Sequence, residues 1–155
     1  MSERSVEHAT FVLERTYGAS PDRVFAAWSD PEAKARWFDG SSDGEFELDF
    51  RVGGRESGRG TLPDGRENTF RALYQDIVPG RRIVYTYDML LDVTRISVSV
   101  ATVEFRLERD RTRLVFTEQA AFLDGHERPA RREQGMGSLL DSLGEWLQTT
   151  DSAAE

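Results

Sequence analysis

Residues 127–149 read ERPARREQGMGSLLDSLGEWLQT, and this stretch decides the fold. Its large apolar side chains recur at steps of three and four residues, and polar side chains take the opposite side, which predicts an amphipathic helix. The apolar positions are Met136, Leu139, Leu140, Leu143 and Leu147, with Trp146 beside them. About 20 helical residues extend roughly 30 Å, the length of a strand of about nine residues, so the natural partner is a long-stranded sheet.

The upstream sequence supplies such strands, because short segments with alternating or β-branched apolar residues are separated by turn residues. The predicted strands are 9–17, 45–52, 55–61, 69–78, 82–89, 95–108 and 112–121. Ser20-Pro21 and Asp30-Pro31 each predict a helix start, so two short helices follow the first strand, the second reaching about Phe38. In 95–108 the apolar positions change parity after Val100, which predicts a bulge or bend.

Composition limits the classes of function. With 20 basic and 28 acidic residues the net charge is −8, which disfavours nucleic acid and anionic membranes as partners. Cysteine is absent, and we find no secretory signal or membrane-spanning apolar run, so we expect a cytoplasmic protein. We predict one domain over 9–149, with flexible termini at 1–8 and 150–155.

Five stretches together resemble a known family in order and spacing. They are GASPDRVFAAWSDPEAKARWF (18–38), DFRVGG (49–54), IVPGRRIVYTY (77–87), ATVEFRLERDRTRLVFTE (101–118) and EQGMGSLLDSL (133–143). The chain resembles bacterial proteins similar to the C-terminal domain of the activator of the heat-shock protein 90 ATPase. That family belongs to the START-like superfamily (SRPBCC, Bet v 1-like), which also contains polyketide cyclases. Many members have Gly-Trp at the start of the last helix, whereas this chain has Gly135-Met136.

The resemblance implies an α+β helix-grip fold, in which a curved antiparallel sheet of about seven strands wraps a long C-terminal helix. Two short helices after strand one would close one end. The periodicity of the sequence leads to the same arrangement. A lipocalin barrel is the alternative, but it would not place two helices directly after the first strand.

A ligand-binding cavity between sheet and helix is the main functional expectation, because aromatic pockets bind flat or apolar molecules well. The predicted ligand-binding residues are Trp37, Phe38, Phe50, Phe70, Tyr74, Tyr85, Tyr87, Phe105, Phe116, Glu118, Met136, Leu140 and Leu143. The alternative is a filled core built from the same side chains. Gly135, Gly137 and Gly144 in the helix can leave space, allow close contact with the sheet or permit a bend.

Glu118 shares strand parity with Leu114 and Phe116, so it is expected to point inward. A buried carboxylate needs a partner, and we expect it to meet an arginine or a ligand hydroxyl unless the strand end turns it to water. The hydroxyls of Tyr74, Tyr85 and Tyr87 can orient a polar end of a ligand or reach water.

No catalytic or metal-binding motif is visible. His8 and His126 stand alone, no cysteine nucleophile exists, and Ser97 or Ser99 with a distant histidine does not define a triad. RVGGRESGRG lacks the Lys-Ser/Thr ending of a phosphate-binding loop. We therefore predict no cofactor, no metal and no catalytic residues.

Three functions follow from these observations. The first is a binding module for a small apolar or aromatic ligand. The second, implied by the resemblance, is a co-chaperone-like stimulator of a heat-shock protein 90 type ATPase, with that chaperone as partner. The third, by the same resemblance, is a polyketide cyclase-like enzyme in which Glu118, Tyr85 or Tyr87 guides a reactive substrate. A monomer and a homodimer are both compatible with the sequence.

Overall fold

The structure is a computed structural model that describes residues 4–39 and 45–154. Residues 1–3 and 155, which belong to the predicted flexible termini, lie outside the described residues. The strands are β1 (Val6–Tyr17), β2 (Glu45–Leu48), β3 (Arg55–Thr61), β4 (Glu67–Val78), β5 (Arg82–Leu91), β6 (Thr94–Glu108) and β7 (Arg111–Leu123). The helices are α1 (Pro21–Ser29), α2 (Pro31–Lys34), a π-helical turn (Ala35–Asp39) and α3 (Pro129–Ala154).

All seven strands form one antiparallel sheet in the order β1-β7-β6-β5-β4-β3-β2. The apolar stripe of α3 packs on the inner face of this sheet, and its Leu140 and Leu143 are fully buried. The predicted α+β helix-grip architecture, with two short helical segments after strand one, is therefore confirmed. None of the helices in the described part of the chain is long and apolar enough to cross a membrane.

The predicted strand 45–52 is too long. β2 ends at Leu48, and the chain then turns so that the Gly54 amide donates to the Arg51 carbonyl at 2.8 Å. A side chain at Gly54 would lie 2.0 Å from the Asp49 carbonyl oxygen, so only glycine fits this turn. Val52, which the alternation placed on the buried face, is 58% exposed.

The predicted bulge in the sixth strand exists, but at a different residue. The pairing of β5 with β6 shifts between Ser97 and Arg95, so the irregularity falls at Ile96 rather than after Val100. From Ser97 to Phe105, odd-numbered residues face inward. Val98 and Val100 lie on the outer face, 45% and 37% exposed. The predicted position of the bulge was wrong because it assumed that these apolar side chains face inward.

The helix α3 is fastened to β1 at the edge of the sheet. Tyr17 donates its hydroxyl to the Leu140 carbonyl at 2.7 Å, and Arg15 Nε lies 2.7 Å from Asp141 Oδ1. A side chain at Gly144 would come within 3.2 Å of the Tyr17 ring, so this glycine allows the close approach. Because α3 leans toward β1, the inner face over β3, β4 and β5 is left partly uncovered.

Candidate functional site

A pocket of about 540 Å³ occupies the space that α3 does not fill. Its floor is the inner face of β3, β4 and β5, and the first three turns of α3 form one wall. Aromatic and aliphatic side chains supply most of this surface, and Arg131 and Arg132 join them. Gly135 also lines the pocket, and a side chain added there would meet nothing within 4 Å.

The residues predicted to bind a ligand fall into two groups. Phe38, Phe70, Tyr85, Tyr87 and Met136 line the pocket. The others pack beside or beneath it in the core, namely Trp37, Phe50, Tyr74, Phe105, Phe116, Glu118, Leu140 and Leu143. The filled core and the open pocket are thus both present, at different positions along the helix.

The Tyr85 hydroxyl is one of the polar groups of the pocket that make no hydrogen bond within the described residues. Tyr85 is 1% exposed and lines the pocket, yet its hydroxyl makes no hydrogen bond. The enclosed side-chain atoms that lack a partner in the described residues are Trp28 Nε1, Glu56 Oε2 and Glu118 Oε1, so the Tyr85 oxygen is open to the pocket. A molecule in the pocket that accepts a hydrogen bond can therefore meet this hydroxyl. Burial raises the pKa of Tyr85 well above its usual value, so the group is a hydrogen-bond donor at neutral pH.

Arg132 organises a buried polar cluster at the end of the pocket next to α3. Glu118 is fully buried, and its Oε2 accepts from Tyr87 at 2.6 Å, from Ser99 at 2.9 Å and from Arg132 Nη1 at 3.3 Å. Arg132 Nη2 also donates to Ser97 Oγ at 2.8 Å. The strand pattern predicted the inward direction of Glu118, and an arginine was one of the two partners expected for it. Burial and Glu118 together raise the pKa of Tyr87.

The Arg132 guanidinium also binds a second carboxylate through its Nε edge. Arg132 Nε and Nη2 donate to the two oxygens of Glu127 at 2.8 Å and 2.6 Å, a bidentate pair. Both Glu127 and Arg132 line the pocket. The Glu127 side chain is 18% exposed, whereas that of Glu118 is 0% exposed.

A second buried ion pair lies behind the aromatic wall of the pocket. Lys34 Nζ is 2.6 Å from Glu56 Oε1 and 3.2 Å from the Tyr74 hydroxyl, which also donates to Glu56. The ammonium lies 4.5 Å from the centre of the Phe38 ring and 5.6 Å from that of Tyr85. Burial lowers the pKa of Lys34, and the negative charge of Glu56 acts in the opposite direction. The pair joins α2 to β3 across the end of the sheet.

Sequence reasoning missed Lys34, Glu56, Glu127 and Arg132. Arg132 extends the stripe of Met136 and Leu140 back by one helical turn, and this spacing could have revealed it. Lys34 is the chain's only lysine, but this indicates a structural role only once the burial of its side chain is known. Among residues 4–39 and 45–154, no group of histidine, aspartate and glutamate side chains has a metal-binding arrangement.

The sequence and fold correspond to a known family. The family model described as "Activator of Hsp90 ATPase homolog 1-like protein" matches residues 18–148. The chain belongs to this family. The family is part of the START-like superfamily, whose shared architecture is the helix-grip fold described above. A search of curated proteins found no match.

Solved structures similar to this chain cover most of its length. A protein of Rhizobium leguminosarum is 46% identical, with a TM-score of 0.91, over 96% of this chain and 99% of that one. Mll3558 from Rhizobium loti is 45% identical, with a TM-score of 0.88, over 92% and 99%. DynU16, from the dynemicin biosynthetic locus, shares the fold at 19% identity and a TM-score of 0.68, over 91% of this chain and 48% of that one.

Proposed function

We propose that this protein binds a small apolar or aromatic molecule in the pocket between α3 and strands β3–β5. The observation that carries the proposal is the Tyr85 hydroxyl, which is 1% exposed, lines the pocket and has no hydrogen-bond partner among the described residues. A hydrogen-bond donor among aromatic pocket walls is an arrangement that orients a mainly apolar ligand. The family's ligand-binding and polyketide cyclase-like character supports the same conclusion.

Binding rather than catalysis fits the chemistry of the walls. The carboxylate that lines the pocket, Glu127, is paired through both oxygens with Arg132. The carboxylates behind the wall are held through one oxygen each, Glu118 Oε2 by Tyr87, Ser99 and Arg132, and Glu56 Oε1 by Lys34 and Tyr74, and their other oxygens are buried. A general base must be free to take a proton from its substrate. The pocket's remaining polar groups can hold and orient a molecule through hydrogen bonds.

The direct test is a native mass spectrum of protein purified without detergent, followed by denaturing extraction. An adduct on the 17.6 kDa chain that disappears on denaturation would identify a ligand by its mass. Gly60→Leu, which fills the pocket from β3, should abolish the adduct. Ser57→Leu places the same side chain on the other face of that strand and should keep it. An adduct that persists in Gly60→Leu would mean that the ligand sits elsewhere.

The family description favours a second candidate, stimulation of a heat-shock protein 90 type ATPase. Such a contact would use the protein's surface and would not depend on the pocket. The ATPase rate of the host's own chaperone, measured with and without this protein, tests it. Stimulation that Gly60→Leu retains would support the co-chaperone function as an activity separate from ligand binding.

A further inference from the structure

Glu127 and Arg132 have the geometry with which proteins recognise a free carboxylate. The two oxygens of Glu127 face Nε and Nη2 of Arg132 at 2.8 Å and 2.6 Å. This parallel pairing is the arrangement in which arginine binds carboxylate ligands. Both side chains line the pocket, so the pair is a carboxylate site in its wall, already filled by a carboxylate of the chain itself.

Glu127 is not needed to neutralise the buried cluster. Arg132 already meets the fully buried Glu118 through Nη1, and that edge is also fixed by the Tyr87 hydroxyl at 3.0 Å. Within the described residues, Arg132 is the hydrogen-bonding partner of the Glu127 side chain, and no other is found. Glu127 also lies in the loop between β7 and α3, so its side chain can leave without breaking a strand or a helix.

An incoming carboxylate can replace Glu127 with little electrostatic cost. Arg132 would exchange one bidentate partner for another, so no buried charge would be left unpaired. Arg131 is exposed at the same rim, with no partner among the described residues, and can pair with the released Glu127. The apolar part of the ligand would then gain the free energy of burial in the aromatic pocket.

We infer that the ligands of this pocket are apolar or aromatic carboxylic acids, and that Glu127 holds the carboxylate position until such an acid displaces it. This inference rests on the proposed function. Although the chain has a net charge of −8, Arg131 and Arg132 both line the pocket, so an incoming carboxylate would meet two guanidinium groups there.

The test uses two fluorescent probes with the same aromatic body, pyrenebutyric acid and pyrenebutanol, titrated into the full chain at neutral pH. Glu127→Ala should tighten binding of the acid by about tenfold, because a competitor that fills the site about 90% of the time would be gone. The same variant should change the affinity for the alcohol by less than about twofold, since the alcohol does not compete for Arg132. Glu133→Ala removes an exposed charge from the same end of α3 and is the matched control.

Different outcomes overturn different statements. If Glu127→Ala leaves acid affinity unchanged, or tightens acid and alcohol equally, Glu127 does not compete with a ligand carboxylate and the inference is wrong. The same holds if the alcohol binds and the acid does not, although ligand binding itself would then stand. If neither probe binds and native mass spectra show no adduct, the proposed function fails together with the inference.

Discussion

The Tyr17 hydroxyl donates a hydrogen bond of 2.7 Å to the backbone carbonyl of Leu140, joining the edge strand β1 to the middle of α3. Leu140 is fully buried and Tyr17 is 6% exposed, so the bond lies inside the core. It fixes the side of the sheet on which α3 rests. The pocket exists because the helix is held there, away from β3, β4 and β5.

Removal of this hydroxyl should destabilise the fold, whereas removal of another buried hydroxyl should not. Tyr17→Phe loses the bond to Leu140 and should lower the free energy of unfolding by about 1 kcal/mol. Tyr85→Phe loses no hydrogen bond within the described residues and should leave that free energy nearly unchanged. Urea denaturation of the two variants measures the difference. Equal losses would mean that Tyr85 has a partner in the ligand-free protein.

The ion pair of Lys34 and Glu56 should show strong coupling. Lys34→Met leaves a buried carboxylate without its cation and should cost about 3–5 kcal/mol of unfolding free energy. Adding Glu56→Gln to that variant should recover about 1–3 kcal/mol, because the unpaired charge is gone. A double-mutant cycle followed by urea denaturation measures the coupling.

Arg82 and Asp76 provide the matched control for that cycle. Their side chains lie 2.6 Å apart but are 51% and 42% exposed. Exposed pairs contribute about 0–1 kcal/mol, so the cycle of Arg82→Gln and Asp76→Asn should give a coupling within that range. A coupling between Lys34 and Glu56 no larger than this would show that their burial has little energetic effect.

The tyrosines predict cooperative unfolding in alkali. Burial raises the pKa of every tyrosine in the chain, Tyr17, Tyr74, Tyr85 and Tyr87, above the ordinary value of 10.0. Above pH 10.0 the unfolded chain therefore loses protons that the folded chain retains, so stability is fully present below this pH and falls as the pH rises. Lys34, whose pKa burial lowers, contributes with the opposite sign below its ordinary value of 10.5.

The check is the tyrosinate absorbance followed together with circular dichroism as the pH is raised. We expect almost no tyrosinate while the native circular dichroism persists, and then all four groups ionising with the loss of structure. A gradual tyrosinate signal near the ordinary pKa in folded protein would contradict the burial of these hydroxyls.

Two helical glycines should respond oppositely to alanine. At Gly135 an added side chain meets nothing within 4 Å, so Gly135→Ala should raise the unfolding free energy by about 0.5–1 kcal/mol. At Gly144 the same methyl would lie 3.2 Å from the Tyr17 ring, so the crowding should cancel or reverse this gain. Thermal or urea denaturation compares the variants. An equal gain at both positions would show that α3 is not pressed against β1 at Gly144.

The order of the helices and strands and the buried face of α3 could be predicted from the sequence, because each depends on local periodicity. Met136, Leu140 and Leu143 show a helical stripe without reference to any other segment. It was harder to predict which residues of β6 face inward. Val98 and Val100 are apolar but lie on the outer face, whereas the polar Ser97 and Ser99 lie on the inner one. A rule that assigns apolar side chains to the interior must fail at such a strand.

The polar clusters could not be predicted because their members are distant in sequence. Glu56 lies on a strand broken by glycines, 22 residues from Lys34, and neither segment has an alternating pattern that shows it is buried. Arg132 meets side chains from β5, β6 and β7 only after the sheet has formed. The aromatic residues were easy to find, but whether each fills the core or lines the pocket depends on the lean of α3 toward β1.

Lys34 is the chain's only lysine and is fully buried, so its chemical modification can report local opening of the protein. A reagent that acylates lysine side chains can reach Lys34 only when α2 separates from β3 and exposes the ammonium. With reagent chosen so that reclosing outpaces modification, the labelling rate gives the free energy of that opening. One peptide mass then reports, in native buffer, how often this end of the fold exposes the space behind the aromatic wall.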